Sequence, residues 1–319
     1  MSSIGGTGDS PGAVAAEVSS DPHAAGRLDQ VLAARGLARS RSHAVALIKD
    51  GLVTVDGAGV VKPATMIEAR NDVRVAGADH YVSRGAHKLI AALDAFALDV
   101  SGRDALDLGA STGGFTQVLL ERGARSVIAL DVGHGQLDAA LRADRRVAVV
   151  EGFNARELSS SSLAAALPPS AEDRESLAPS IVVADLSFIS LSHVLAPIAE
   201  LVSGAGAVGP EPAVAARSGG ASVDIVVLIK PQFEVGRTGV REGIVTDPGL
   251  RADAVQGVLW AAWDAGLATR GVIGSPIVGT HGNREALAWL QPRSGGKAPE
   301  EASGNPTEWI ATVNAWAGV

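Results

Sequence analysis

Two spacings of apolar residues divide the chain. In "RLDQVLAARGLA", Leu28, Val31 and Leu32 recur at helical spacing and Gly36 closes the run. "SRSHAVALIKDG" opens on Ser40, a good N-cap, and carries Ala44, Leu47 and Ile48 on one face before Gly51. "LVTVDG" and "DVRVAG" then read as short strands, completing a compact α/β module over 27–75. From residue 104 the pattern changes. "ALDLGAS", "SVIALDVG", "VAVVEG", "SIVVADLSF" and "DIVVLIKPQF" are apolar, β-rich runs, most of them separated by helical segments such as "GGFTQVLLERGA". This alternation predicts an α/β fold with a mostly parallel, doubly wound sheet, and "GNREALAWL" reads as its last strand. Residues 1–26 predict a disordered tail, 76–82 a linker and 83–290 one large domain. The Ala/Pro/Ser/Gly-rich stretches 159–179 and 203–222 predict loop insertions, and 291–319 a flexible extension with a short helix at "PTEWIATVNAW".

Composition narrows the chemistry. The chain has 319 residues and a formal net charge of −8, so bulk charge does not mark it as a nucleic-acid binder. It has no cysteine, which excludes disulfides, iron–sulfur clusters and thiolate zinc, and no metal site is expected. The N-terminus lacks a basic segment followed by an apolar run, and no apolar stretch approaches the roughly 20 residues that span a bilayer. A cytoplasmic protein without a membrane partner is expected. Charge is uneven, however. Arg27, Arg35, Arg39, Arg41 and Lys49 fall in the two N-terminal helices, opposed only by Asp29 before Asp50. Phosphate recognition needs such a basic surface; an ordinary solvated helix face gives the same pattern.

"ALDLGASTGGFTQVL" places a glycine-rich turn between a strand and a helix. Gly109, Gly113 and Gly114 allow a ligand close to the backbone, and Asp131 ends the next strand, where a carboxylate can accept from ribose hydroxyls. Nicotinamide and S-adenosylmethionine sites share this arrangement. The dinucleotide fingerprint needs G-x-G-x-x-G, whereas Ala110, Ser111 and Thr112 separate Gly109 from the next glycine. Further polar residues stand at strand ends: Asp185 in "VVADLSFIS", Lys230 in "VVLIKPQFE", and Glu285 in "GNREALAWL". Ligands of doubly wound sheets bind at the carboxyl ends of strands, so Asp185 and Lys230 are expected to face the crevice of the glycine-rich loop. "SRGAHKL" sets Arg84 and Lys88 where a helix begins, a place slightly unfavourable for a cation. Either Lys88 is solvated, or something nearby needs its charge.

These motifs carry family resemblances. Residues 27–75 resemble the S4 RNA-binding domain, through Arg27-Leu28-Asp29, Ser40-Arg41, Ala44, Leu47-Ile48, Gly51-Leu52-Val53, the Val55-Asp56-Gly57 turn and Lys62-Pro63. That likeness implies binding of structured RNA through Arg27, Arg39, Arg41 and Lys49, with Arg84 added from the following motif. "DLGASTGGF" is similar to motif I of S-adenosylmethionine-dependent methyltransferases. It implies an S-adenosyl-L-methionine site built from Asp107, Gly109, Ala110, Ser111, Gly113, Gly114, Phe115 and Asp131, with Asn154 near the adenine. Lys88, Asp185, Lys230 and Glu285 resemble the catalytic tetrad of the FtsJ-like RNA 2′-O-methyltransferases. With "SRGAHKL", "DLGASTGGFT", "ADLSFISL", "KPQFE" and "GNRE" in order behind an S4 module, the chain resembles the TlyA family, historically also called haemolysins. The resemblance implies 2′-O-methylation of cytidine in 16S or 23S ribosomal RNA, with ribosomal RNA or subunits as partner and no DNA. In it Lys230 would deprotonate the hydroxyl, Asp185 would hold Lys230, Lys88 would reach across to Asp185, and Glu285 would orient a lysine. Where actinobacterial relatives often carry Arg-x-Trp-Val before "SRG", this chain has Asp79-His80-Tyr81-Val82. The rival readings are an S4-containing enzyme such as a pseudouridine synthase, a haemolysin without methyltransferase activity, and a nicotinamide-dependent dehydrogenase.

Overall fold

A computed structural model describes residues 24–38, 40–49, 51–60, 62–75, 80–168, 179–203, 223–236, 239–279, 282–293 and 303–319. The chain forms two compact units that part between His80 and Tyr81. The first contains β1 (Gly26–Arg27), α1 (Leu28–Ala34), α2 (Arg41–Lys49), β2 (Val53–Val55), β3 (Ala58–Gly59), β4 (Met66–Ile67) and β5 (Val73–Val75). The Ser40 hydroxyl accepts from the His43 amide and caps α2. Leu28, Val31, Leu32, Ala44, Ile48, Val53, Ile67 and Val73 form the core of this unit. The β2–β3 turn uses Asp56 (φ 50°) and Gly57 (φ 81°), the doubly left-handed geometry that two-residue hairpins favour. The Asp56 carboxylate accepts from Asp72 N and Asn71 Nδ2, which fixes the turn against β5.

The second unit runs α3 (Gly85–Ala95), β6 (Asp104–Leu108), α4 (Gly114–Glu121), β7 (Ser126–Asp131), α5 (Ala139–Ala143), β8 (Val147–Glu151), α6 (Ser160–Ala166), β9 (Ile181–Ala184), α7 (Leu195–Ser203), β10 (Asp224–Ile229), α8 (Pro231–Glu234), α9 (Pro248–Asp264), β11 (Leu267–Gly274), β12 (Ala286–Pro292) and α10 (Ile310–Ala317). The seven-stranded sheet has the order β11-β12-β10-β9-β6-β7-β8. Strands β6–β10 pair in parallel, as the alternation of apolar runs and helices predicts; β12 is antiparallel to both β10 and β11. Strands β9 and β10 are buried along their whole length, the mark of strands covered on both faces.

Several expectations need correction. The stretch 159–179 is not simply a loop. Ser159 accepts from the Ser162 amide in a capping box, so 160–166 becomes α6, and Leu163 anchors it in the core. Residues 303–319 are not a loose extension. Val313 and Ala317 of α10 are fully buried in the main core, and Arg251 of α9 donates to Ala317 O at 2.7 Å. The expected linker ends sooner than 82: Tyr81 meets His87 edge-on and Val82 N donates to Gln117 Oε1, so both belong to the second unit. The expected tail also ends sooner, since Gly26 pairs with Ile67 and Ala24 O accepts from Arg35. Residues 1–23, 169–178 and 204–222, which carry most of the tail and insertion expectations, lie outside the described residues.

Candidate active site

The site lies at the carboxyl end of the parallel strands of the second unit, and strand register puts it there. Leu108 and Ala184 are partners across β6 and β9, so Gly109 and Asp185 leave the sheet side by side. Asp185 O would lie 2.7 Å from any Cβ at residue 109, where φ is +84°. Both the close approach and the backbone angle therefore demand glycine. Ile229 and Ala286 are partners across β10 and β12. Because β12 runs antiparallel, its start lies beside the end of β10, and Glu285 meets Lys230 there. Ala86, Leu89, Ala92 and Leu93 form the buried face of α3. Lys88 shares that face at 8% exposure and sends its ammonium toward the sheet ends.

These elements enclose a cavity of about 550 Å³. Ser83–Gly85 and Lys88, the loop from Gly109 to Phe115, Asp185, Ser187, Phe188, Lys230 and Glu285 line it. Two lysine–carboxylate pairs project into it. Lys88 Nζ lies 2.6 Å from Glu285 Oε2 in a buried, well-directed hydrogen bond. Lys230 Nζ lies 2.6 Å from Asp185 Oδ1, with the lysine side chain 10% exposed. Lys88 therefore pairs with Glu285 and not with Asp185 as expected, because β12 inserts the glutamate next to α3. Asn283 braces the Glu285 loop: its Nδ2 donates to Gly243 O at 2.7 Å and its Oδ1 accepts from Val245 N at 3.1 Å.

The glycine-rich loop has the shape its sequence requires. Gly113 (φ 100°) leads into α4, and Ser111 also holds a positive φ of 48°. Asp107 lies beneath the loop, wholly buried, and accepts from Thr116 Oγ1 at 2.6 Å. Burial pushes its carboxyl up to about 7, with Asp185 and Asp131 adding repulsion against the Thr116 hydrogen bond. Asp131 does not line the main cavity. Its carboxylate accepts from Ser111 N (2.8 Å) and Gly133 N (2.7 Å) beside a small recess of about 10 Å³ that also involves Ala110, Ser111 and Gln136. Asn154 lines neither space and caps the turn Ala155–Glu157 by accepting from Arg156 N. Gly113 is packed against Leu137 and Leu141. Ser187, Phe188, Asn283 and Gln136 were not anticipated. The "DLSF" run following a strand-end aspartate held a signal for the first two.

In the first unit, Arg27 and Arg41 both reach Asp29, at 3.1 and 2.6 Å. The two guanidiniums, Arg27 first, hold the Asp29 carboxyl below its usual range. Both arginines stay about half exposed, at 42% and 56% of the side chain, and Lys49 is exposed in the last turn of α2. Arg35, counted in the basic surface, instead donates to Ala24 O, Glu68 O and Asn71 O and ties the unit together. Arg39 lies outside the described residues. Arg84 stands at the start of α3 on the cavity wall of the second unit.

Comparison with known proteins follows the same division. Residues 26–73 match the S4 domain family and 81–291 the FtsJ-like methyltransferase family. The chain is 44% identical over 271 residues to the "16S/23S rRNA (cytidine-2'-O)-methyltransferase TlyA" of Mycobacterium tuberculosis, covering 84% of this chain and 90% of that protein. It is 36% identical to "Hemolysin A" of Brachyspira hyodysenteriae, covering 82% and 98%. Among solved structures, "Putative hemolysin from Streptococcus thermophilus" superposes with a TM-score of 0.65 at 33% identity, over 93% of this chain and 96% of that one. The chain therefore belongs to the TlyA family, an S4 domain followed by an FtsJ-like methyltransferase domain.

Proposed function

We propose that the protein methylates the ribose 2′-hydroxyl of a cytidine in ribosomal RNA, using S-adenosyl-L-methionine. One observation carries this reading: two lysine–carboxylate pairs converge on a single cavity whose other wall is the glycine-rich loop. The residues present fit the methyl donor. Gly109 and Gly114 leave no Cβ where the loop meets Asp185 and Ser83, and the first turn of α4 offers backbone N–H groups. Gly109, Ala110, Ser111, Gly114 and Phe115 would hold the donor, with Asp131 serving the ribose. When bound, it supplies a methyl group already activated on a sulfonium. The protein must then align the hydroxyl and take its proton.

Lys230 is the base in this reading. It stands at the cavity wall with Lys88, across from the glycine-rich loop. Asp185 and Glu285 keep the two ammonium groups from drifting. The 91%-exposed Phe188 ring at the rim offers a flat face on which a base can stack. A 2′-hydroxyl requirement selects RNA over DNA. Arg27, Arg41 and Lys49 of the S4 unit, with Arg39, would contact phosphates; the relatives' names support ribosomal RNA as the substrate, and this reading adds ribosomal subunits as the partner and the cytoplasm as the place of action. Among the described residues no helix is long and apolar enough to cross a membrane. The test is to incubate ribosomal RNA and isolated subunits with the protein and labelled methyl donor, then map 2′-O-methylated positions. Label on a base, or none on RNA, would overturn the reading.

A further inference from the structure

The contacts of Lys230 are of unequal kind. Asp185 Oδ1 lies 2.6 Å from Nζ as an ion pair, but the pair does not have hydrogen-bond geometry. The directed bond goes from Nζ to Ser187 Oγ, at 2.8 Å. Phe233 lies 5.9 Å from Nζ on its ring face, a contact without rotational preference about the Cε–Nζ bond. Asp185 therefore supplies charge, and Ser187 supplies direction.

We propose that Ser187 is a positioning residue that aims the Lys230 amine at the substrate hydroxyl. The inference rests on the reading of Lys230 as base. A neutral amine has two N–H bonds and one lone pair in tetrahedral array. When one N–H is committed to Ser187, two arrangements about Cε–Nζ remain, and the adjacent Asp185 carboxylate favours the one that turns the second N–H toward it and leaves the lone pair to the cavity. Without that bond the amine turns among its staggered positions, and the lone pair spends much of its time pointing at the wall. The Ser187 hydroxyl forms no bond to substrate. In the transfer the proton would pass from the 2′-hydroxyl to Nζ, the oxygen's electron pair would form the new bond to the methyl carbon, and that carbon's bond to sulfur would break with its electron pair left on the sulfur as a neutral thioether.

Backbone geometry supports the assignment. Ser187 stands between strand-end Asp185 and Phe188, whose φ of 64° is rare for a bulky residue. The same loop is pinned further on, where Leu191 N donates to Glu234 Oε1 at 2.9 Å and Ser190 Oγ donates to the same carboxylate. The hydroxyl is thus held by a loop anchored at both ends.

The experiment is a double-mutant cycle on the full chain with ribosomal subunits and labelled methyl donor, read by single-turnover rate. Ser187→Ala should lose about tenfold in rate, the effect of one directed hydrogen bond. Its affinities for methyl donor and RNA should remain within twofold. Ser187→Thr, which keeps the hydroxyl, should recover most of the rate. In a Lys230→Ala background, Ser187→Ala should cost nothing, because groups that act as a unit are non-additive. An unchanged Ser187→Ala rate, failure of threonine to restore it, a loss explained by weaker binding, or an equal loss in both backgrounds would each overturn the proposal. If Lys230→Ala itself methylates at the parent rate, the reading of Lys230 as base fails instead, and the two failures are distinguishable.

Discussion

Both units gather cations around carboxylates, and they do so in opposite ways. In the S4 unit one buried acid, Asp29, collects two arginines that remain 42% and 56% exposed. In the methyltransferase unit each lysine has its own carboxylate, and both lysine side chains are only 10% exposed. Half-exposed guanidiniums keep donors free for other acceptors; an arginine carries five N–H groups in a fixed fork. A buried ammonium is costly without a carboxylate beside it, so its partner fixes where the charge sits. The first arrangement suits binding of a polyanion. The second suits proton chemistry at one atom.

The comparison can be broken most sharply at Lys230. Lys230→Ala should lower single-turnover methyl transfer about 10²–10⁴-fold, the usual worth of general-base help, with methyl-donor affinity within twofold by calorimetry. A loss below about threefold would reduce Lys230 to a structural role. Next comes the Lys88–Glu285 pair. Glu285→Ala strands a buried cation and should destabilise the fold by about 3 kcal/mol in urea titrations. Adding Lys88→Met should restore much of that stability without activity. If Glu285→Ala is as stable as the parent, Lys88 finds solvent and the pair is not buried in its energetics.

Asp107 sharpens the contrast, being a buried acid without a cation. Burial raises its carboxyl to about 7, well above the ordinary aspartate value of 3.8. Between those values the native state holds a proton that the unfolded chain has lost. The contribution is therefore fully present below pH about 4 and is lost as pH rises through 7. Asp107→Asn removes this dependence, so its stability relative to the parent should increase from pH 4 to 8, by a few kcal/mol at most. Equal pH slopes for the two proteins would show that Asp107 titrates normally. The smallest effect is expected at the S4 surface. Arg41→Ala should weaken RNA binding a few-fold and reduce the log–log salt slope by about 1, leaving methyl-donor affinity unchanged. An unaltered slope would remove Arg41 from the phosphate contacts.

Local signals made much of this legible beforehand. Helical spacing and Ser40 marked α2, and glycine spacing marked the loop after β6. The clustering of Asp185 and Lys230 follows from their places at the ends of adjacent parallel strands, whose partners are Ala184 and Val227. What stayed hidden depends on long-range register. Nothing near Lys88 in the chain says that its acceptor is Glu285 and not Asp185; the antiparallel insertion of β12 decides that. The packing of α10 was hidden for the same reason, since its apolar residues reveal a need for burial but not the surface that meets it. Asn154 illustrates a different ambiguity: an asparagine after a strand serves equally well as a cap, and capping is what the local geometry uses it for.

The sequence separation of 197 between Lys88 and Glu285 also bears on when the enzyme can begin to work. If α3 and strands β6–β10 assemble first through contacts among themselves, the β11–β12 pair docks afterwards on the β10 edge. Large α/β domains commonly pass through collapsed intermediates of this sort. An intermediate lacking β12 would already have the glycine-rich loop and Lys230, while Lys88 would have no carboxylate to hold it. Such a species could occupy methyl donor without transferring it efficiently. Acquisition of activity during refolding should therefore lag behind recovery of donor binding, and the length of that lag is a clock for the docking of the β11–β12 pair.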